Sequence, residues 1–270
     1  MRPRRLTAET PEVIEKKLAE GRGQGHGKNY KPWIMVGEFR NRGESHIIPG
    51  IKIRGRSHHY FSVLEQRMHY LAEYLPSVVD FREQYPILPL QESLDIAARL
   101  GIKHPALHGH PKVITLDLLV TLQRPNKTVL AARSIKTSEE LSDPRTREKQ
   151  RLEKEICRLR GIPWTVATEK ELTSTLEKSL KNLFRWTTDI DRVPPKHLVS
   201  AFMAAFVEEP LDAPIRHILR SVGAAIRVPY HYAVWLFRYL AWHQTIKVDI
   251  HSLIELPKPH LALKKNQASE

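Results

Sequence analysis

Residues 112–136 form the pattern that most restricts how this chain can fold. Residues 112–122 are rich in β-branched and aliphatic side chains, which favour a strand. Residues 128–136 repeat this composition, and Arg124-Pro125-Asn126-Lys127 between them has the residue types of a tight turn. The stretch therefore predicts two strands joined by a turn.

Two charged residues stand inside this apolar hairpin, Asp117 in the first strand and Lys136 near the end of the second. An acid in an apolar strand must be paired, bound to a metal or exposed at the end of the sheet, because a lone buried charge is too costly. Side chains alternate between faces, so Ser134 and Lys136 share one face of their strand. An Asp followed after a hairpin by a Lys is typical of metal-dependent phosphodiesterases, and a salt bridge is the simpler alternative.

Glu65 is a candidate third member of this group. Residues 62–75 predict a helix whose apolar side chains lie on one face. Ser62 is a natural N-cap, and a Glu three residues later completes a capping box, which is the structural explanation for this acid. The alternative is that Glu65 points towards Asp117 and helps to hold a metal.

The remaining elements predict an α/β fold. Residues 77–86 read as a strand, and residues 144–160 as a long helix with Leu152, Ile156 and Leu159 buried. The charged side chains of this helix, which include Glu153, are predicted to form its solvated face. Residues 164–168 add a further strand, so the order of elements implies a mixed sheet flanked by helices.

The composition changes near residue 170, which predicts domains at 1–170 and 171–270. In the second, residues 212–225 and 229–242 predict two helices and residues 245–250 a strand. This order is typical of a winged helix, which would contact DNA or a partner. A plain helical cap on the first domain is the alternative.

Composition narrows the function. The 270 residues include 43 Lys and Arg against 30 Asp and Glu, a net charge of +13, which favours a polyanionic partner such as nucleic acid. With a single cysteine, Cys157, the chain can form neither an intramolecular disulfide nor a cysteine-based zinc site. This composition is what we expect of a protein in a reducing cytosol. We expect no signal peptide and no membrane span, because no apolar run approaches roughly 18 residues.

Two polar stretches carry weaker signals. Residues 21–30 place a glycine at alternate positions, but no strand precedes them, so we expect a flexible basic loop against nucleic acid or a plain surface loop rather than a nucleotide-binding loop. His58, His59 and His69 could ligate a metal. Their spacing is not that of a zinc site, so surface or DNA-contacting roles are expected.

The chain resembles the TnsA endonuclease subunits of heteromeric bacterial transposases. The resemblance covers residues 10–172 and is loose beyond them. It is carried by the order and spacing of Glu20-Gly21-Arg22-Gly23-Gln24-Gly25-His26-Gly27-Lys28, Arg56-Ser57-His58-His59, Ser62-Val63-Leu64-Glu65, Asp80-Phe81-Arg82-Glu83-Gln84-Tyr85-Pro86, Gly101-Ile102-Lys103-His104-Pro105 and Gly161-Ile162-Pro163-Trp164.

This resemblance implies a restriction-endonuclease-like fold with Glu65, Asp117 and Lys136 as catalytic residues. It also implies a Mg²⁺ ion, which Mn²⁺ could replace, held by Glu65, Asp117, the residue at 134 and the main-chain carbonyl of Ile135. The family usually carries Gln or Glu two residues before the lysine. Here that residue is Ser134, which is too short to replace a carboxylate ligand and puts the metal affinity in doubt.

The implied activity is cleavage of the non-transferred strand at the 5′ ends of a transposon, in the cytoplasm of a bacterium. The implied partners are DNA at the transposon ends, an integrase-type transposase subunit and an AAA+ ATPase regulator. Two alternatives stay open: a catalytically weakened or inactive DNA-binding adaptor, and a stand-alone restriction-type endonuclease.

Overall fold

A computed structural model describes residues 8–38, 43–185, 187, 192–210, 212–254 and 263–264. The chain divides into two compact units, Met1–Leu172 and Thr173–Glu270. No helix within the described ranges combines the length and the apolar character needed to cross a membrane.

The first unit alternates helices and strands along the chain. Its helices are α1 (Pro11–Ala19), α2 (Val63–Tyr74), α3 (Leu90–Arg99) and α4 (Pro144–Leu159). Its strands are β1 (His46–Pro49), β2 (Ser57–Tyr60), β3 (Val78–Pro86), β4 (Ala106–Leu107), β5 (His110–Pro111), β6 (Thr115–Arg124), β7 (Lys127–Ile135) and β8 (Trp164–Ala167).

A four-stranded mixed sheet forms the centre of this unit. Its strand order is β3-β6-β7-β8, in which β6 is antiparallel to β3 and β7, and β7 is parallel to β8. The helices α3 and α4 contact each other, α4 also contacts β8, and α2 contacts β3. The predicted mixed sheet flanked by helices is confirmed, and it fits a restriction-endonuclease-like domain.

The predicted hairpin is β6 and β7. Arg124 pairs with Lys127, so Pro125 and Asn126 make the two-residue turn. The β6–β7 pairing ends at Leu118 and Arg133, while β6 stays paired with β3 as far as Thr115. Asp117 therefore lies just where β6 and β7 separate, and its side chain can reach main-chain groups of β7.

The core of the first unit lies between the sheet and the helices α3 and α4. Leu116 and Leu119 of β6 and Ile96 of α3 pack in one buried cluster with Leu152 and Ile156 of α4. Burying each such side chain stabilises the fold by about 1.5–3 kcal/mol. Leu159 does not belong to this cluster, and its predicted burial is wrong, since 46% of the residue is exposed. It is the last residue of α4, at the edge of the packed face.

The glycine-rich stretch is not a free loop. A side-chain carbon at Gly23 would lie 2.2 Å from Cγ of Pro86, and one at Gly25 would lie 2.8 Å from the carbonyl oxygen of Asn29. Both glycines also have positive φ angles, at 70° and 84°. Gly23 therefore permits close packing against the end of β3, and Gly25 permits a close approach to the main chain at Asn29. The predicted flexibility of this stretch and its contact with nucleic acid stay predictions.

The second unit is mainly helical. It contains α5 (Ser174–Phe184), α6 (Lys196–Val207), α7 (Ile215–Ala225) and α8 (Tyr230–Trp242), followed by β9 (Lys247–Val248), which pairs with β10 (Leu263–Lys264). Leu180, Phe202, Leu219 and Phe237 are fully buried. The predicted order of helix, helix and strand is present, although β9 is shorter than expected. The winged-helix assignment stays a prediction.

Candidate active site

Asp117 is held at the point where β6 and β7 separate. Its Oδ2 atom accepts hydrogen bonds from the main-chain N–H of Ile135 at 2.7 Å and from Nζ of Lys136 at 2.7 Å. The hydroxyl of Ser134 also donates to this oxygen, at 3.3 Å. The acid in the apolar strand is therefore paired, as its location required.

Lys136 bridges two oxygen atoms. Its Nζ donates to Asp117 and, at 3.0 Å, to the main-chain carbonyl oxygen of Ile135. Burial lowers the pKa of Lys136, but the negative charges of Asp117 and Glu153 outweigh this effect, and its pKa is raised above the ordinary value. The ammonium group therefore stays charged, between two of the oxygens that the sequence suggested as metal ligands.

Glu65 helps to cap the start of α2 and lies near Asp117, while its role as a metal ligand stays a prediction. Its main-chain N–H donates to the hydroxyl of Ser62 at 3.2 Å, and its Oε1 accepts from that hydroxyl at 3.0 Å. Its Oε2 accepts the N–H of Phe61 at 3.2 Å. Burial and then the charge of Asp117 raise the pKa of Glu65 to about 7. The hydrogen bonds to Phe61 and Ser62 therefore hold this carboxylate close enough to Asp117 for the charge of Asp117 to raise its pKa.

Gln84 connects Glu65 to the strand that carries Asp117. Its Oε1 accepts from the hydroxyl of Thr115 at 3.1 Å, and its Nε2 makes a long contact of 3.5 Å with Oε2 of Glu65. Gln84 is buried and has a φ of 47°, a conformation that non-glycine residues rarely adopt. Gln84 therefore contacts Glu65 from an unusual backbone conformation. The spacing of residues in the sequence did not predict that Gln84 belongs to the site.

Ser134 faces the interior rather than an open cleft. It is 1% exposed, and its hydroxyl accepts a hydrogen bond from Nε2 of Gln150 at 2.9 Å while it donates to Asp117. Gln150 belongs to α4, so this bond ties that helix to β7. The residue that departs from the family pattern thus acts as a buried link between Asp117 and Gln150.

Glu153 on α4 is an acidic residue that sequence reasoning placed wrongly. It was expected on the solvated face, but its Oε2 atom is buried, and the side chains of Ser134 and Trp164 lie close enough to lower its pKa. Burial and then the charge of Asp117 raise the pKa of Glu153 to about 7. The available signal was its position next to Leu152 of the buried stripe, which matches the position of Glu65 next to Leu64.

A cleft of about 150 Å³ lies beside Glu153 and Thr115. Thr115 and Glu153 line one part of it, together with Val113 and Ile114. Lys112 and Lys149 also line the cleft and bring positive charge to it. The cleft therefore places the carboxylate of Glu153 beside two lysines.

The acidic centre formed by Glu65, Asp117 and Glu153 offers oxygen donors that suit a divalent cation, although these three carboxylates do not all lie within 4.8 Å of one another. Burial and then the charge of Asp117 raise the pKa of Glu65, which is buried, and of Glu153, which is half-buried. A cation bound among these groups would relieve this mutual repulsion. The available donors are carboxylate and main-chain carbonyl oxygens, the hard ligands that Mg²⁺ prefers.

Two comparisons with known proteins agree with this arrangement. A family model described as "TnsA-like endonuclease N terminal" matches residues 75–169, which contain β6, β7 and α4. The Transposon Tn7 transposition protein TnsA of Escherichia coli is 36% identical over 210 residues, which are 78% of this chain and 71% of that protein.

Proposed function

Because this chain belongs to the TnsA endonuclease family, we propose that it is a Mg²⁺-dependent endonuclease subunit of a heteromeric transposase. The observation that carries the proposal is the position of Asp117, bonded to Lys136 and close enough to Glu65 and Glu153 to raise the pKa of both. Three acids and a lysine beside a basic cleft suit the hydrolysis of a DNA phosphodiester bond.

The metal would be held by Glu65, Asp117 and Glu153, with the main-chain carbonyl of Ile135 as a further ligand. When bound, Mg²⁺ or Mn²⁺ neutralises charge on the scissile phosphate and lowers the pKa of a coordinated water. Glu153 would supply near Asp117 the carboxylate that Ser134 lacks. In this proposal the short residue at 134 is compatible with catalysis, because α4 would provide an acid in its place.

Lys136 is the group that would meet the reacting phosphate. Its ammonium is held by Asp117 and Ile135, and its raised pKa keeps it protonated at neutral pH. A fixed cation of this kind stabilises negative charge that develops on the phosphate oxygens, and it can orient the attacking water. It would donate hydrogen bonds to the phosphate oxygens or the water and would not act as a general base, since its charged form is favoured.

The finer assignment is cleavage of the non-transferred strand at the 5′ ends of a transposon. The relative in E. coli is a transposition protein, and the net charge of +13 favours binding to DNA. We propose an integrase-type transposase subunit and an AAA+ ATPase regulator as partners. The helical unit Thr173–Glu270 would contact the partner or the DNA.

The test is strand cleavage in the assembled transposase. Glu65→Ala, Asp117→Ala and Lys136→Ala should each abolish 5′-end cleavage without unfolding the protein. Glu155→Ala is the matched control, because Glu155 lies on α4 but outside the acidic centre and pairs with Arg158. Normal cutting by any of the three site variants would contradict the proposal.

The buried serine at 134 favours one competing function, an inactive DNA-binding adaptor. Calorimetry separates the two functions: an adaptor would retain DNA affinity but bind neither Mg²⁺ nor Mn²⁺. Cleavage of DNA without any partner would instead indicate a stand-alone restriction-type endonuclease.

A further inference from the structure

A second group of possible metal ligands lies outside the acidic centre. Ligand atoms of His58, His69 and Glu73 all lie within 4.8 Å of one another, and the three residues are buried. His58 belongs to β2, whereas His69 and Glu73 belong to α2. The cluster therefore joins two elements that are separate in the chain.

Each imidazole is held through one nitrogen and leaves the other unused. Nδ1 of His58 lies 3.0 Å from Oε2 of Glu83, and Nδ1 of His69 lies 3.0 Å from the hydroxyl of Tyr60. Both Nε2 atoms are buried and have no hydrogen-bond partner among the described residues. Unsatisfied buried nitrogens are costly, so these two atoms need an explanation.

The hydrogen bonds favour the form of histidine that binds metals. Nδ1 of His58 can donate its hydrogen to Oε2 of Glu83, because a carboxylate oxygen accepts hydrogen bonds. That bond leaves a lone pair on Nε2. The hydroxyl of Tyr60 can accept in the same way from Nδ1 of His69. A carboxylate or hydroxyl behind a ligating histidine is the usual support of a zinc ligand.

A third donor lies at the same place, and Gly50 has no side chain that would block Nε2 of His58. A side-chain carbon at residue 50 would lie 3.0 Å from this nitrogen. Glu73 accepts the main-chain N–H groups of Ile51 and Lys52 through separate oxygens, at 2.9 and 3.0 Å. A carboxylate oxygen has a further lone pair, so these bonds orient Glu73 without using it up.

We propose that His58, His69 and Glu73 form a buried zinc site. Two imidazole nitrogens and one carboxylate are a donor set that suits Zn²⁺ in preference to Mg²⁺, and a water can complete four-coordination. Zinc bonds of about 2.0–2.2 Å bring ligand atoms to roughly 3.3 Å from each other. Small side-chain rotations therefore close the cluster around the ion.

The site would support the position of Glu65. Glu65, His69 and Glu73 follow one another at intervals of four residues, so they lie along one face of α2. Zinc between His58 and the two α2 ligands would fix this helix against β2. The role is structural, and it stands independently of the nuclease function.

The test uses full-length protein carrying Asp117→Asn, which weakens the acidic centre, and Zn²⁺ as the probe. Metal-free protein is titrated with Zn²⁺ against a chromophoric chelator, and Co²⁺ replaces Zn²⁺ for visible absorption spectra. We expect roughly one zinc per chain and the absorption of tetrahedral cobalt bound by nitrogen and oxygen. His69→Gln in this background should reduce the affinity at least 100-fold, whereas His104→Gln, in the same unit, should leave it unchanged.

Circular dichroism shows whether each variant is folded, and Glu73→Gln provides a second change at the site should His69→Gln fail to fold. Loss of zinc binding in either folded variant, with binding retained in the His104→Gln control, supports the proposal. Folded Asp117→Asn protein that binds no zinc would overturn it. So would zinc binding of unchanged affinity in the His69→Gln or Glu73→Gln protein, since the ion would then lie elsewhere.

Discussion

Replacing Glu153 by glutamine tests whether the acid on α4 belongs to the active site. Glutamine has nearly the same shape but no charge, and its amide oxygen can keep the contacts that Glu153 makes with Ser134 and Trp164. The substitution removes the repulsion between residue 153 and Asp117, which contributes to raising the pKa of Glu153 to about 7. Without metal, Glu153→Gln should therefore stabilise the protein while it impairs cleavage.

The size and sign follow from the pKa of Glu153. Raising the pKa of Glu153 from 4.5 to about 7 costs the folded state up to about 3 kcal/mol once the carboxyl is ionised, at 1.36 kcal/mol for each pH unit. A raised folded-state pKa contributes stability below the unfolded value near 4.5, and this contribution is lost as the pH rises towards 7. Glu153→Gln should thus be about 3 kcal/mol more stable than the wild type at pH 8, but under about 1 kcal/mol more stable at pH 5.

The assay is urea unfolding at pH 5 and pH 8 in the presence of a chelator, repeated at pH 8 with saturating Mg²⁺. Glu155→Gln on the same helix is the control, and its stability relative to the wild type should show no such dependence on pH. Mg²⁺ should stabilise the wild type more than Glu153→Gln, because only the wild type carries the full acidic centre. Cleavage by the assembled complex should fall by about 100-fold or more. Equal stability of Glu153→Gln and wild type at both pH values would refute the reasoning, as would full cleavage by the variant.

Two further predictions concern DNA binding and the glycine-rich stretch. Replacing Lys112 and Lys149 by alanine should weaken DNA binding irrespective of sequence and reduce the slope of log K against log salt by about 1–2, measured by fluorescence anisotropy at several salt concentrations. An unchanged slope would exclude phosphate contacts there. Gly23→Ala should lower the free energy of unfolding by about 1–3 kcal/mol, because its Cβ would meet Pro86. Gly27→Ala also changes a glycine of positive φ but meets no atom within 4 Å, so it should cost clearly less in the same unfolding assay.

The elements of the first unit could be predicted because local signals agreed with the final packing. Ser62 starts α2 as a cap, and the hairpin turns at Pro125 and Asn126, as the sequence indicated. Asp117 and Lys136 could be identified from an apolar pattern interrupted by charges. In each case the signal lies within a few residues along the chain, where propensity and spacing act directly.

Residues at the edge of a buried stripe could not be assigned in this way. Helical periodicity predicts that Leu152 and Ile156 are in the core, but it does not predict whether the adjacent Glu153 is exposed to solvent or lies in the site. The packing of α4 against the sheet determines the position of Glu153. The same holds for Gln84, because no pattern of residues in the sequence predicts its left-handed backbone conformation.

Local signals in the sequence predicted the β6–β7 hairpin, the Ser62 cap of α2 and the interruption of an apolar hairpin by Asp117 and Lys136. The packing of separate elements brings Glu153 within the influence of the Asp117 charge and brings His58 to His69 and Glu73 in the interior. Charges and ligand atoms interact over a few ångströms of space. Which residues come that close depends on how separate helices and strands pack.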